Sequence, residues 1–346
     1  MSLDFVFKLC NHRERRCFNI AKKEKRKKSK ILISSVLLLT VIITALTHKF
    51  IISYLYFNNV PNNSDNSTSR ISLSNSEPDF ISSDMLNSPS AILLSLENNV
   101  ILMRKNSQEK IYPASLTKMM TAIVAIENLS DLNEEIELNN SIYKDLYEAN
   151  ASMAGFQPGE QVSAIDLLYG ALLPSGAECC VGLACHIAGS EKAFVDMMNQ
   201  KASELDMDNT HFENTTGLHN EKHYTSVEDL AALLSYALKN DIFRKIFTSS
   251  RHSTGSTNKH PGGITYYSTM FQKLININIS GGDIIGGKTG YTEEAGLCLA
   301  SLAKVGEEEY IFISVGAEGN PYTEQYNITD ALTVYRSIKN NKNKPN

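Results

Sequence analysis

Strand-like alternation occurs at the two ends of the region 90–340, and helical periodicity fills the stretch between them. Ala91-Ile-Leu-Leu-Ser-Leu96 and Val100-Ile-Leu-Met103 flank Glu97-Asn-Asn99, the pattern of a hairpin closed by an Asn turn. Strands return at 283–289, 296–303 and Tyr310-Ile-Phe-Ile-Ser-Val315, with Gly306-Glu-Glu-Glu309 turning the last two. Between these ends Leu116, Met119, Met120, Ile123, Val124 and Ile126 recur at helical spacing after Tyr112-Pro113. Further helices are expected at 163–174, 178–188, 190–205 and 226–239. The last of them starts at Thr225 or Ser226, ahead of Glu228-Asp229. Residues 327–340 have the pattern of one closing amphipathic helix. Strands at both ends with helices between them specify an α+β domain, an antiparallel sheet with flanking helices and a helical insertion. No internal repeat is visible.

The segment before this domain does not read as globular. Residues 1–30 carry 11 Lys/Arg against 3 Asp/Glu, although the whole chain of 346 residues has a net charge of −5. An uncharged run from Ile31 to Thr47 follows, and Phe50-Ile-Ile-Ser-Tyr-Leu-Tyr-Phe57 extends it beyond His48-Lys49. Apolar length with an aromatic end suits a transmembrane helix over 31–57. Positive charge before the span predicts a cytoplasmic tail (1–30) and an extracytoplasmic remainder, the single-pass type II arrangement in a cell membrane. No small-x-small cleavage site follows the run, so an uncleaved anchor is expected rather than a signal peptide. The basic block is then the flank of that anchor and not a nucleic-acid-binding arm. Residues 58–88, dense in Asn, Ser, Asp and Pro, form the expected tether to a domain spanning 89–340. Cys179, Cys180, Cys185 and Cys298 have no zinc-ligand spacing, and neither a metal nor an organic cofactor is expected.

Three short motifs carry chemistry. Ser-x-x-Lys occurs at Ser107, Ser115 and Ser301, but only Ser115 precedes a long apolar helix able to bury its lysine, Lys118. Three residues apart on a helix, the two side chains can touch. A hydroxyl becomes nucleophilic when a neighbouring base takes its proton, and a lysine serves as that base once burial or a second cation lowers its pKa. Lys288-Thr289-Gly290 occurs once, in a strand. There Lys288 would supply positive charge, Thr289 would bond a carboxylate, and Gly290 would let a substrate backbone lie against the strand. The Tyr291 N–H would join the Ser115 N–H as an oxyanion donor. Between these motifs lies Leu172-Leu-Pro-Ser-Gly-Ala-Glu178, where the Ser175 hydroxyl could relay a proton between Lys118, Ser115 and a leaving amine. Gly286-Gly-Lys-Thr lacks the first glycine of a phosphate-binding loop. His219 and His223 are expected as loop residues near the domain surface.

With these motifs in this order, residues 88–340 resemble the low-molecular-weight penicillin-binding proteins, the serine-type D-Ala-D-Ala carboxypeptidase family. The resemblance covers Tyr112-Pro-Ala-Ser-Leu-Thr-Lys118, Leu172-Leu-Pro-Ser-Gly176 and Gly287-Lys-Thr-Gly-Tyr-Thr292, and it extends to Asn214-Thr-Thr-Gly-Leu-His219 and His223-Tyr-Thr-Ser-Val-Glu-Asp-Leu-Ala231. It implies a β-lactamase/transpeptidase-like fold, Ser115 as the acylated nucleophile, Lys118 as its base, Ser175 as the second-motif serine and Lys288 as a substrate-binding residue. It also implies removal of the terminal D-Ala from peptidoglycan stem pentapeptides and inhibition by β-lactams. Ala177 stands where the family commonly has the Asn of Ser-x-Asn, and no arginine precedes Arg336 near the final helix. Two other readings fit the same motifs. One is a β-lactamase or transpeptidase on the same scaffold, although no Glu-x-x-x-Asn loop lies between Ser175 and Lys288. The other is a weakly catalytic or non-catalytic binder of wall peptides or β-lactams, suggested by Ala177.

Overall fold

The computed structural model describes residues 82–274, 278–279 and 281–342. The expected cytoplasmic tail, the transmembrane span and most of the tether lie outside the described residues. Among the described residues no helix is long and apolar enough to cross a membrane.

In chain order the elements are β1 (Ser90–Ser95), β2 (Val100–Lys105), a 3-10 turn (Ala114–Thr117), α1 (Lys118–Asn128), β3 (Glu135–Leu138), a second 3-10 turn (Asn140–Ile142), α2 (Tyr143–Glu148), β4 (Glu160–Ser163), α3 (Ala164–Leu172), α4 (Ala177–Ala188), α5 (Glu191–Glu204), α6 (Val227–Ala237), α7 (Asp241–Phe247), β5 (Arg251–Ser253), β6 (Thr265–Tyr267), α8 (Thr269–Lys273), β7 (Asn278–Ile279), β8 (Gly282–Thr292), β9 (Gly296–Val305), β10 (Glu308–Ala317) and α9 (Tyr326–Lys342). The main sheet has the order β2-β1-β10-β9-β8-β7, antiparallel throughout. Both terminal hairpins therefore meet in one sheet, with β1 against β10, as the placement of strands at the two ends requires.

Alternation in the strands assigns their faces. Ile92, Leu94, Ala300, Leu302, Ile311 and Ile313 join the large core shared with α1 and the helical insertion. Ala91, Leu93, Leu299, Ala303, Tyr310 and Phe312 join a second core under α9. A sheet covered on both faces needs strands that are apolar almost throughout, and β9 is one. Helix α1 is buried from Lys118 to Ile126, so it runs through the core rather than over it.

The expected helices appear within one or two residues of their predicted bounds. Ser163, Ser190, Ser226 and Asn240 cap helix starts, each side chain accepting a backbone N–H of the first turn. The sequence patterns missed β3 and β4, the short helices α2, α7 and α8, and the β5–β6 hairpin, all of seven residues or fewer. Too few periods fit in such lengths to stand out.

The end of the expected tether belongs to the domain. Leu86 is buried, and the buried Asp330 carboxylate of α9 accepts from the backbone N–H and side-chain amide of Asn87 and from the N–H and hydroxyl of Ser88, all at 2.7–2.9 Å. Such charge-assisted bonds are the stronger kind, and removing the carboxylate strands four donors. Asp330→Ala should lower unfolding stability by about 3 kcal/mol in urea titrations, with Asp330→Asn losing less. A loss below about 1 kcal/mol for the alanine variant would mean that this clamp is not what fastens residues 86–88.

Candidate active site

The turn carrying Ser115 is held from three sides. Residues 114–117 form the 3-10 turn instead of the first turn of one continuous α-helix, and Ala114 has a positive φ of 45°. A non-glycine residue in that region persists only where its surroundings impose it. The loop 214–217 does much of this. The Asn214 side chain accepts from the Thr216 N–H and hydroxyl and from the Gly217 N–H. Gly217, at φ +80°, lies so close that a Cβ there would stand 1.8 Å from the Ala114 carbonyl oxygen.

Lys118 is 2% exposed, and its Nζ donates to Ser115 Oγ at 3.0 Å and to the Thr216 carbonyl at 2.7 Å. Burial pushes its pKa below the ordinary lysine value, while the neighbouring acidic groups of Cys180, Glu178 and Cys179, where ionised, act in the opposite sense. The other two Ser-x-x-Lys serines have ordinary roles. Ser107 donates to Glu228, and the Ser301 hydroxyl meets the Phe312 carbonyl and the Tyr335 hydroxyl.

His223 is a packed, hydrogen-bonded loop residue as expected, but it lies inside the domain rather than near its surface. It is 2% exposed, its Nδ1 accepts from the Glu213 N–H at 3.2 Å, and its Nε2 lies 2.8 Å from Thr117 Oγ1. The Glu213 contact leaves the proton on Nε2, which then donates to Thr117 inside the Ser115–Lys118 turn. Burial, with His211 and His219 adding to it, lowers its pKa to about 4, so the ring is neutral at physiological pH. His219 is partly exposed, against the Tyr112 ring and 3.6 Å from Glu294.

The third motif lies on β8. Strand β7 pairs with Gly282 and Asp283 only, which leaves 288–292 with a free edge among the described residues. That edge faces the Ser115 turn. A Cβ on Gly290 would come 3.1 Å from the Ser115 nitrogen and 3.2 Å from Ala114 Cβ. The missing side chain thus admits the Ser115 turn itself, a use of the glycine beyond the substrate clearance expected. Lys288, 1% exposed, donates to Ser175 Oγ at 2.9 Å and to the Thr289 carbonyl at 2.7 Å. Burial and then the Lys118 charge hold its pKa well below the ordinary value. Thr289 is partly exposed and shares a 2.6 Å hydroxyl–hydroxyl hydrogen bond with Thr269 of α8; Tyr291 is partly exposed on the same edge.

Ser175 sits just before α4 at a positive φ of 71°. Its hydroxyl is bonded to Lys288 rather than to Lys118 or Ser115, the partners expected for a relay. Ala177 packs with Leu146 and Val181 in a small apolar cluster, and its N–H donates to the Ser152 carbonyl. The four described cysteines are free; Cys179, Cys180 and Cys298 are buried.

The arrangement therefore pairs each serine with a buried lysine, Ser115 with Lys118 and Ser175 with Lys288. Two adjacent amines out of water disfavour holding two protons at once. A hydroxyl beside such a pair, at an open strand edge, is equipped for proton transfer and acyl attack. The pattern search missed the residues that brace this geometry, namely Asn214, Thr216, His223 and Thr269. For Asn214, Thr216 and His223 the one signal was the family-like segments at 214–219 and 223–231; Thr269 meets Thr289 through a single hydroxyl contact and had none.

The family model for D-alanyl-D-alanine carboxypeptidases matches residues 76–319. The chain is 36% identical over 233 residues to D-alanyl-D-alanine carboxypeptidase DacF of Bacillus subtilis, covering 66% of this chain and 57% of that protein. It is 30% identical over 242 residues to DacC of Escherichia coli, covering 66% and 56%. The chain thus spans little more than half the length of the curated relatives it matches. The crystal structure of the Streptomyces K15 DD-transpeptidase superposes with a TM-score of 0.66 at 26% identity, covering 73% of this chain and 97% of that one. The fold is accordingly the transpeptidase-like α+β fold. With a family model matched over more than half its length, and with that family's motifs brought together on one open strand edge, the chain belongs to the peptidase S11, D-alanyl-D-alanine carboxypeptidase, family.

Proposed function

We propose that the protein is a serine-type D-Ala-D-Ala carboxypeptidase that removes the terminal D-Ala from peptidoglycan stem pentapeptides. The observation that carries this reading is the 3.0 Å hydrogen bond between the buried Lys118 amine and Ser115 Oγ, beside the open edge of the Lys288-Thr289-Gly290 strand. Lys118 as free base takes the Ser115 proton, and Oγ attacks the carbonyl of the penultimate D-Ala. The backbone N–H groups of Ser115 and Tyr291 receive the developing oxyanion. Ser175 delivers its proton to the departing D-Ala amine and takes one back from Lys288, its hydrogen-bonded partner; the proton that Lys118 took from Ser115 then passes to Lys288, which leaves Lys118 a free base again. Lys288 and Thr289 hold the terminal carboxylate, whose charge favours a proton on Lys288 and so leaves Lys118 neutral. Water then releases the acyl group from Ser115, with Lys118 again the base. A β-lactam would acylate the same hydroxyl.

The full-length chain should release D-Ala from a Lys-D-Ala-D-Ala peptide and bind fluorescent penicillin covalently at Ser115. Ser115→Ala should lose both, the peptide activity by at least about 10⁴-fold, with an unchanged melting temperature. A folded wild-type domain that takes no label would refute the assignment. Labelling without D-Ala release would instead favour the binder, and transfer to an added amine in preference to water would favour the transpeptidase.

Activity should rise with pH as Lys118 loses its proton. Because burial lowers that pKa, the acid limb of kcat/KM should lie below the ordinary lysine value of 10.5, and activity should fall as pH drops through it. Lys118→Arg cannot deliver a free base and should be inactive at every pH tested. An active arginine variant would exclude Lys118 as the base.

We further propose that residues 31–57 anchor the domain on the outer face of the cell membrane. Support comes from the uncharged run and from the Lys/Arg excess ahead of it. Protease added to intact spheroplasts should cut within 58–81 and release a penicillin-binding fragment, whereas recovery of the full chain in the soluble cytosol would exclude the anchor.

A further inference from the structure

Glu178 lies against the site, and the reaction proposed above assigns it no role. It belongs to the first turn of α4, three residues after Ser175, and is fully buried. Oε1 accepts three successive backbone N–H groups, from Ala154 at 2.7 Å, Gly155 at 2.9 Å and Phe156 at 3.3 Å. The same segment is fastened to the second motif by the Ala177 N–H, which donates to the Ser152 carbonyl at 2.8 Å. It is also in close packing contact with that motif, because a Cβ on Gly176 would stand 2.6 Å from Ala154 Cβ and 3.0 Å from Glu178 Oε2. Oε2 has no hydrogen-bond partner among the described residues.

A buried carboxylate with one oxygen saturated and one free is costly unless its charge is used. Several ionisable groups act around Lys118. From α4 come Cys180, Glu178 and Cys179, and from β8 comes Lys288. Burial raises both thiols, Cys180 to about 12 and Cys179 well above its ordinary value, so they are neutral at physiological pH. Glu191 of α5 also acts on Cys180, but its Oε1 is occupied by the Thr215 N–H and hydroxyl. Glu178 itself is pushed up by burial, and the three N–H donors oppose that shift. It remains the carboxylate that acts directly on Lys118.

We infer that Glu178 is a positioning residue that clamps residues 152–156 over the Ser175–Gly176 turn through Oε1 and places negative charge near Lys118. The clamp holds Ser175 in its left-handed conformation, where it meets Lys288. The charge favours a proton on Lys118 at rest, so that this amine is not stripped before substrate arrives. The charge half of this inference rests on the proposed role of Lys118 as base, and the clamp half does not.

The test uses the full-length chain in detergent with Glu178→Gln and Glu178→Leu. Amide hydrogen exchange is followed at 154–156, and the acylation rate by fluorescent penicillin is followed against pH. Glutamine keeps the acceptor and removes the charge. Exchange should stay at the wild-type level, and the acid limb of acylation should move about one pH unit lower, because loss of an anion lowers the pKa of a neighbouring amine. Leucine removes both, so exchange at 154–156 should rise about tenfold or more and acylation should slow at every pH. Unchanged exchange in the leucine variant overturns the clamp, and an unmoved limb in a folded glutamine variant overturns the charge. If either variant does not fold, Glu178→Asp replaces it, keeping the charge on a side chain too short to hold the segment. It should raise exchange at 154–156 and leave the acid limb closer to wild type than to one unit below it; the reverse pattern overturns the inference. Exchange requires no acylation, so failure of the enzymatic reading is seen separately, as absence of penicillin labelling in the wild type.

Discussion

An uncompensated amine in the core, Lys118, is the constraint to which the surrounding structure answers. Taking an ammonium group out of water is unfavourable by several kcal/mol, and a lysine so placed favours its neutral form. The amine is retained because it has two acceptors at hydrogen-bond distance, the Ser115 hydroxyl and the Thr216 carbonyl. Both acceptors are held by other parts of the chain. Thr216 is fixed by Asn214, and the Ser115 turn is fixed by the close approach of Gly217 and Gly290 and by the neutral His223 beneath Thr117. The strain at Ala114 is sustained by this same set of contacts.

Placement of the site follows from how the two cores meet at the sheet. Alternation sends one set of strand residues toward α1 and the insertion and the other toward α9, so the sheet is covered on both faces and, among the described residues, the stretch of β8 beyond β7 is left without a strand partner on its outer side. Helix α1 enters from the insertion side and brings its N-terminal turn to the uncovered part of β8. An edge strand with unpaired backbone groups is a hazard in most proteins and a peptide-binding platform in some. Here its exposed stretch coincides with Lys288–Thr292, and a family of D-alanyl peptide enzymes is one in which such an edge has a use.

The second motif connects the insertion to that edge. Ser175 reaches across to Lys288, and Glu178 ties the same turn to residues 152–156. Ala177, two residues after Ser175, fills an apolar niche with Leu146 and Val181.

Most of the architecture was legible because it rests on periodicity. Helix α1, the long helices of the insertion and the hairpins at both ends each contain enough turns or alternations to reveal their type, and a two-face-covered strand such as β9 shows as an apolar run. The three motifs were legible because their residue types are tied to one chemistry at fixed spacing. What the sequence by itself determined was the α+β class, the order of elements and the pairing of Ser115 with Lys118, a contact set by helical geometry within four residues. Only the tertiary structure decided that Ser175 bonds Lys288, that His223 is a neutral brace under the Ser115 turn, that Gly290 makes room for that turn, and that Glu178 ties residues 154–156 to the second motif. Each of these depends on contacts between segments far apart in the chain, where no local period or spacing records which atoms meet.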